Sequence, residues 1–218
     1  MDFRFHNELT VPFGNIGLKG ELIIPSKAEA VVIFSHGSGS SRFSPRNRMV
    51  AEFLHQNNIG TFLFDLLTER EDQQYTNRFD IELLTGRLIA ATTWLEEREA
   101  MKGCKIGFFG ASTGAASALR ASSILPQINA VVSRGGRPDL AMDFLHRVKA
   151  PTLLIVGSLD HDVLLLNRTA YFQLECEKEF KIVKGASHLF EEPGAMQKVC
   201  EHAADWFQKY LEPVKITN

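Results

Sequence analysis

Apolar and polar positions follow two different rhythms along this chain of 218 residues. From Ile16 to Ile24 they alternate (Ile16-Gly17-Leu18-Lys19-Gly20-Glu21-Leu22), and Pro25 ends the run, which predicts a half-buried strand of a hairpin. From Ala30 onward the rhythm changes. Ala30-Val31-Val32-Ile33-Phe34-Ser35, Thr61-Phe62-Leu63-Phe64, Lys105 to Phe109, Ala130-Val131-Val132 and Thr152 to Val156 are continuous apolar runs, as expected of parallel strands buried on both faces. A last strand is predicted at Phe180 to Val183. Between these runs, amphipathic stretches predict helices from about Asn47 to Asn57, Asp80 to Glu99, Ala115 to Leu125, Leu140 to Val148 and Gly194 to Tyr210. Trp94 and Trp206 fall on such helices and are expected to pack in the core. Alternating strand and helix implies an α/β fold, a mainly parallel sheet with helices on both faces, whose ligands bind at the carboxyl ends of the strands. Leu66 to Asn77 is the least regular segment, and with Leu159 to Leu166 it is expected to shape that end.

The length suits a single α/β domain over residues 1–218, without internal repeat, linker or low-complexity segment. A net charge of −2 gives no basis for a nucleic-acid or membrane partner, since both call for a concentrated basic surface. The start, Met1-Asp2-Phe3-Arg4-Phe5-His6, lacks the apolar core of a signal peptide, and no run is long enough to span a membrane, so a cytoplasmic location is expected. Cys104, Cys176 and Cys200 are odd in number and widely spaced, which predicts reduced packing residues rather than disulfides or a zinc cluster. Oligomeric state is left open.

The chemistry concentrates where an apolar run, Lys105 to Phe109, enters Gly110-Ala111-Ser112-Thr113-Gly114 and a small-residue helical run leaves it. Strand, sharp turn and helix form the setting of a G-x-S-x-G nucleophile elbow, which exposes a serine on a strained backbone and needs small residues where strand and helix pass close. The plainer reading of Ser112 is a helix cap in a phosphate-binding turn. Against it, the glycines lack the G-x-G-x-x-G spacing and no G-K-S/T follows.

A serine nucleophile needs a base, and His188 lies in the loop between the last strand and the last helix. An acid should orient that imidazole. Asp160, after the preceding strand, gives the order Ser, Asp, His, with Asp162 as rival acid and His161 as rival base. All three would project from carboxyl-end loops. An oxyanion hole needs two preset N–H donors: Thr113, following the nucleophile, and one from His36-Gly37-Ser38-Gly39-Ser40-Ser41, with Ser38 first and Gly39 second. His36 is expected to hold that loop by a hydrogen bond. Arg42, Arg46, Arg48, Arg134 and Arg137 also flank the site; Arg42, Arg134 and Arg137 could bind a carboxylate or phosphate on a substrate, or pair with Glu69, Glu71 or Asp139.

The His36–Ser41 loop, Asp65-Leu66-Leu67-Thr68, the elbow, Ser133 to Leu140, Gly157 to Val163 and Ser187 to Glu191 together resemble the dienelactone hydrolase-like group of α/β-hydrolases over nearly the whole chain. The resemblance implies an α/β-hydrolase fold with an eight-stranded sheet. It also implies cofactor-free hydrolysis of small-molecule esters or lactones and an open site without a sizeable cap domain. The short interval from Val132 to Pro151 leaves little room for one. One departure is clear: dienelactone hydrolase proper carries cysteine at the elbow, where this chain has Ser112. The reading is a serine hydrolase working through an acyl-enzyme, with acyl transfer to another acceptor, or binding without turnover, as alternatives on the same fold.

Overall fold

The computed structural model describes residues 2–211. Its frame is an eight-stranded sheet in the order β1-β2-β4-β3-β5-β6-β7-β8. Strands β1 (Phe3–Phe13) and β2 (Ile16–Pro25) form the hairpin, and β2 pairs antiparallel with β4 (Gly60–Phe64). From β4 through β3 (Ala30–Ser35), β5 (Lys105–Ala111), β6 (Ile128–Arg134), β7 (Thr152–Gly157) and β8 (Lys178–Val183), every pairing is parallel. This is the α/β-hydrolase arrangement, with no large cap among the described residues.

The continuous apolar runs fill both faces of the sheet. In β3, Val31 and Ile33 enter the core beneath α3 (Ile81–Glu96), α4 (Thr113–Ser122) and α5 (His161–Gln173), while Ala30, Val32 and Phe34 enter the core beneath α1 (Pro45–Gln56) and α6 (Ala195–Leu211). Trp206 is buried in the α1/α6 core and Trp94 packs against the rim of the other. Phe207 of α6 lies against Gly107, where an added Cβ would come within 2.9 Å of the ring.

Three segments differ from the pattern expected. The predicted helix at Leu140–Val148 is a 3₁₀ segment, Pro138–Arg147, broken at Ala141 (φ −129°). It must return the chain along the sheet from β6 to β7 in few residues, and 3₁₀ winding covers roughly 2.0 Å per residue against 1.5 Å for an α-helix. Helix α5 was not expected at all. Its buried stripe is Val163, Asn167 and Ala170, while Leu165 and Phe172 are exposed, so an asparagine on the core face hides the apolar period. Within Leu66–Asn77, a short helix α2 (Glu69–Asp72) forms under a Thr68/Glu71 capping box, followed by a 3₁₀ turn at Tyr75–Phe79.

Candidate active site

The elbow is built by close approach. A Cβ on Gly110 would lie 2.4 Å from the Cα of Ala115, and one on Gly114 would lie 2.1 Å from the carbonyl oxygen of Ser35, so strand and helix meet only because both residues are glycine. Between them Ser112 takes φ 50° and ψ −120°, a left-handed conformation that costs a non-glycine residue about 1–3 kcal/mol. Although Ser112 stands at the N-cap of α4, its side chain makes no capping bond. Its backbone is held on both sides: the Ser112 N–H donates to the Arg134 carbonyl (3.2 Å), and the Ser112 carbonyl accepts from the Arg137 N–H (3.0 Å).

The acid and base come from the loops after β7 and β8, which are zipped together. Ser158 N–H donates to the Val183 carbonyl, Leu159 N–H to the Ala186 carbonyl, and Gly185 N–H to Ser158 Oγ. Gly157 permits this, since a Cβ there would sit 2.2 Å from the Ala186 oxygen. Asp160 is the N-cap of α5, yet its carboxylate does not cap the helix; it bonds His188 Nδ1 at 2.6 Å. Asp162 and His161 lie in the first turn of α5 and make no such bond. With Nδ1 engaged, Nε2 is the nitrogen left to take a proton. The imidazole lies over Gly135, whose Cβ position is 3.5 Å from both Nδ1 and Cε1, and Gly135 adjoins the Arg134 carbonyl that holds Ser112. Ser112 and His188 therefore rest on the same loop.

Two further residues fix that geometry and carry no motif by which sequence could have found them. Asn167, fully buried on the acid-bearing helix α5, donates through Nδ2 to the Gly136 carbonyl (2.9 Å), tying α5 to the Arg134–Arg137 loop. Glu192 accepts from the Ser187 N–H (3.0 Å), and that contact holds its carboxyl below the usual carboxylate range.

On the other side, His36 is buried, with Nδ1 3.0 Å from the Gly37 carbonyl and Nε2 accepting from the Leu66 N–H at 3.0 Å. A carbonyl only accepts, so Nδ1 carries the proton and the ring is neutral. Burial pushes its pKa down to match. His36 thus fastens the oxyanion loop to the loop after β4. The Ser38 N–H donates to Thr113 Oγ1 at 2.9 Å, so this expected oxyanion donor has an internal partner at rest. Gly39 takes φ 68°, and a Cβ on it would lie 3.6 Å from Arg78 Nη1.

The arginines separate cleanly. Arg42 pairs with Asp65 through both its backbone N–H and its guanidinium. Arg137 makes a bidentate pair with Asp139 (2.8 and 2.7 Å). Arg134 is buried with a neutral acceptor, Asn47 Oδ1 at 3.2 Å. A cleft of about 630 Å³ borders the outer side of the oxyanion loop at His36, Ser40, Arg42 and Asp65, and a second of about 360 Å³ opens at Arg46, Met49, Leu189 and Phe190. Neither is lined by Ser112. Among the described residues no cluster of three His, Cys, Asp or Glu side chains could hold a metal ion, and no helix is long and apolar enough to cross a membrane.

Comparison with known proteins bears on the fold and the family. The model of the dienelactone hydrolase family matches residues 19–215. The crystal structure of dienelactone hydrolase from Anabaena variabilis is 50% identical, covers 95% of this chain and 99% of that one, and superposes with a TM-score of 0.92. Est1E from Butyrivibrio proteoclasticus (14% identical, 93% and 98% covered, TM-score 0.80) and the Pyrococcus furiosus esterase Pf2001 (20% identical, 95% and 94% covered, TM-score 0.78) share the fold. A Mycobacterium tuberculosis protein provisionally named a phosphoribosyl transferase is 50% identical over 206 residues, 94% of this chain and 46% of that protein. The chain spans about half the length of the curated relatives it matches. By the family match and the 50% identical structure together, the chain belongs to the dienelactone hydrolase family and has its α/β-hydrolase fold.

Proposed function

We propose that this protein is a serine hydrolase that cleaves a small-molecule carboxylic ester or lactone through an acyl-enzyme. Ser112 Oγ attacks the carbonyl carbon as His188 Nε2 takes its proton, and Asp160 orients and stabilises the resulting imidazolium. The carbonyl oxygen becomes an oxyanion held by the amides of Thr113 and Ser38, the latter shared with or released by the Thr113 hydroxyl. Collapse expels the alkoxide, which leaves with the proton from His188; in a lactone it stays tethered to the acyl chain. Water then attacks the acyl-enzyme by the same steps in reverse order. The observation that carries the reading is the 2.6 Å Asp160–His188 bond on the loop beside a serine in the strained elbow conformation.

The test is intact-protein mass after incubation with a fluorophosphonate. One adduct mapping to Ser112, absent in Ser112→Ala and His188→Ala, is expected, with turnover in both variants reduced by roughly three orders of magnitude or more. A folded protein that takes no adduct would shift the reading to ligand binding without turnover. Transfer of the acyl group to an alcohol instead of water uses the same groups, and product analysis with added acceptors separates the two. The phosphoribosyl transferase name belongs to relatives of which this chain matches 46%, whereas a strained serine with a histidine–aspartate pair suits acyl chemistry. The three free cysteines fit the reducing cytoplasm.

A further inference from the structure

The internal partner of the Ser38 amide has a hydrogen of its own to give. Ser38 N–H donates to Thr113 Oγ1 at 2.9 Å, so the hydroxyl oxygen sits where a substrate oxygen would meet this amide. The bond fills an acceptor position on the threonine and leaves its proton without an acceptor among the described residues. Buried Thr92 and Thr152 spend that proton on the carbonyls of Leu88 (2.8 Å) and Ala150 (3.0 Å). Thr113 is only 2% exposed. It opens α4 directly after Ser112, and as the first residue of the helix it has an N–H that no turn of the helix uses. One residue thus brings two donors, an amide and a hydroxyl, to the positive end of the helix dipole beside the strained serine.

For the Ser38 amide to reach a substrate oxygen alone, the hydroxyl must turn away. A threonine inside a helix then bonds a carbonyl three or four residues back, but for Thr113 those residues are Gly110 and Phe109 of strand β5, ahead of the helix. A buried hydroxyl turned out of its bond carries the desolvation penalty of an unpaired polar group. Staying in place carries none. An O–H whose oxygen already accepts an N–H is polarised toward donating, and a hydrogen bond to a charged oxygen is roughly twice as strong as a neutral one. We propose that the Thr113 hydroxyl is itself an oxyanion donor, keeping the Ser38 N–H on its oxygen and giving its own O–H to the substrate's carbonyl oxygen. The inference rests on the hydrolase reading and deepens it. The hydroxyl holds the oxyanion alongside the Thr113 amide, with the Ser38 amide shared behind it. No proton changes hands: the carbonyl electron pair moves onto oxygen as the bond from Ser112 Oγ to carbon forms, and the hydrogen bond strengthens as that charge arrives.

The test follows a nitrophenyl ester with the native chain, with Thr113→Val, which keeps the branched shape and loses the O–H, and with Thr113→Ser, which keeps the O–H. Thr113→Val is expected to lower kcat at least about tenfold while KM changes less than about twofold, because a donor to the oxyanion acts in the transition state. Thr113→Ser is expected to stay within about threefold of the native kcat. Inhibition by a trifluoromethyl ketone, which carries an oxyanion once Ser112 adds to it, should weaken in Thr113→Val by the same factor as kcat. A Thr113→Val protein as fast as the native chain, or faster, overturns the inference, since the hydroxyl would then only obstruct an amide that works without it. Equal losses in Thr113→Val and Thr113→Ser overturn it too, because shape rather than the hydroxyl would be at issue. Should Thr113→Val fail to fold, Thr113→Ala is judged by the same contrast with Thr113→Ser. In all these outcomes the native chain takes a fluorophosphonate at Ser112. A folded native chain that takes none overturns the hydrolase reading itself, and this inference with it.

Discussion

The frame behind the elbow and the mouth in front of it are built on opposite terms. Behind Ser112 the contacts are backbone on backbone, with Gly110 against Ala115, Gly114 against Ser35 and Gly157 against Ala186. Ser117 Oγ donates to the Gly114 carbonyl and so accepts from Ser35 Oγ at 2.7 Å. In front, the loops carry charge: Arg42–Asp65, Arg78–Asp72, Arg46–Glu191 and Arg137–Asp139 ring the site, half-buried to exposed. Dense packing leaves the frame one arrangement, whereas solvent-screened pairs leave the mouth adjustable. The strain at Ser112 is therefore held from behind, while charged loops surround it in front.

The frame breaks most readily at Gly114. Helix propensity by itself favours alanine there by about 1 kcal/mol. The structure demands the reverse, because the new Cβ would lie 2.1 Å from the Ser35 oxygen and 2.4 Å from that of His36. Gly114→Ala is expected to destabilise the fold by about 3 kcal/mol, read as the shift in urea midpoint at constant slope. A stability equal to the native chain's would show that the joint has slack.

A smaller effect comes from acid. Burial, with the charge of His6 behind it, drops the His55 pKa from 6.5 to about 4, and the neutral ring bonds Thr61 Oγ1 at 2.8 Å. Burial lowers His36 in the same direction. A histidine whose folded pKa is depressed binds its proton more readily when unfolded. The stability it confers is thus present above pH 6.5 and lost as pH falls toward 4, below which both states are protonated. Chemical denaturation from pH 7 to 4 should show this decline, less steeply in His55→Gln; equal slopes would remove His55 as its source.

The mouth gives the smallest response. Arg137 and Asp139 are both partly exposed, so Arg137→Gln is expected to cost less than about 1 kcal/mol, and less still in high salt. A larger loss, or one that salt leaves unchanged, would show that the pair is more than a screened surface contact.

Much of this was legible before any coordinates. Runs such as Ala30–Ser35 and Lys105–Phe109 can be buried on both faces only in a parallel sheet, and the glycines around Ser112 mark a crossing too close for any side chain. Helix α5 escaped notice because Asn167 occupies its core stripe. Its reason is tertiary, a bond to the Gly136 carbonyl across the site. Helix α2, four residues under the Thr68/Glu71 capping box, is held by contacts such as the Arg87–Glu71 pair, which joins residues 16 apart.

By itself, then, the sequence determined the order of the strands, most of the helices and the glycine-flanked turn at Ser112, because these follow from local periodicity and steric limits. Tertiary structure alone decided that Asp160 rather than Asp162 meets His188, that Thr113 occupies the Ser38 amide, and that Arg137 meets the Asp139 carboxylate while Arg134 meets the neutral Asn47 Oδ1. Neighbouring residues of the same type differ there by which side of a strand or turn they leave from, and long-range packing fixes what they meet.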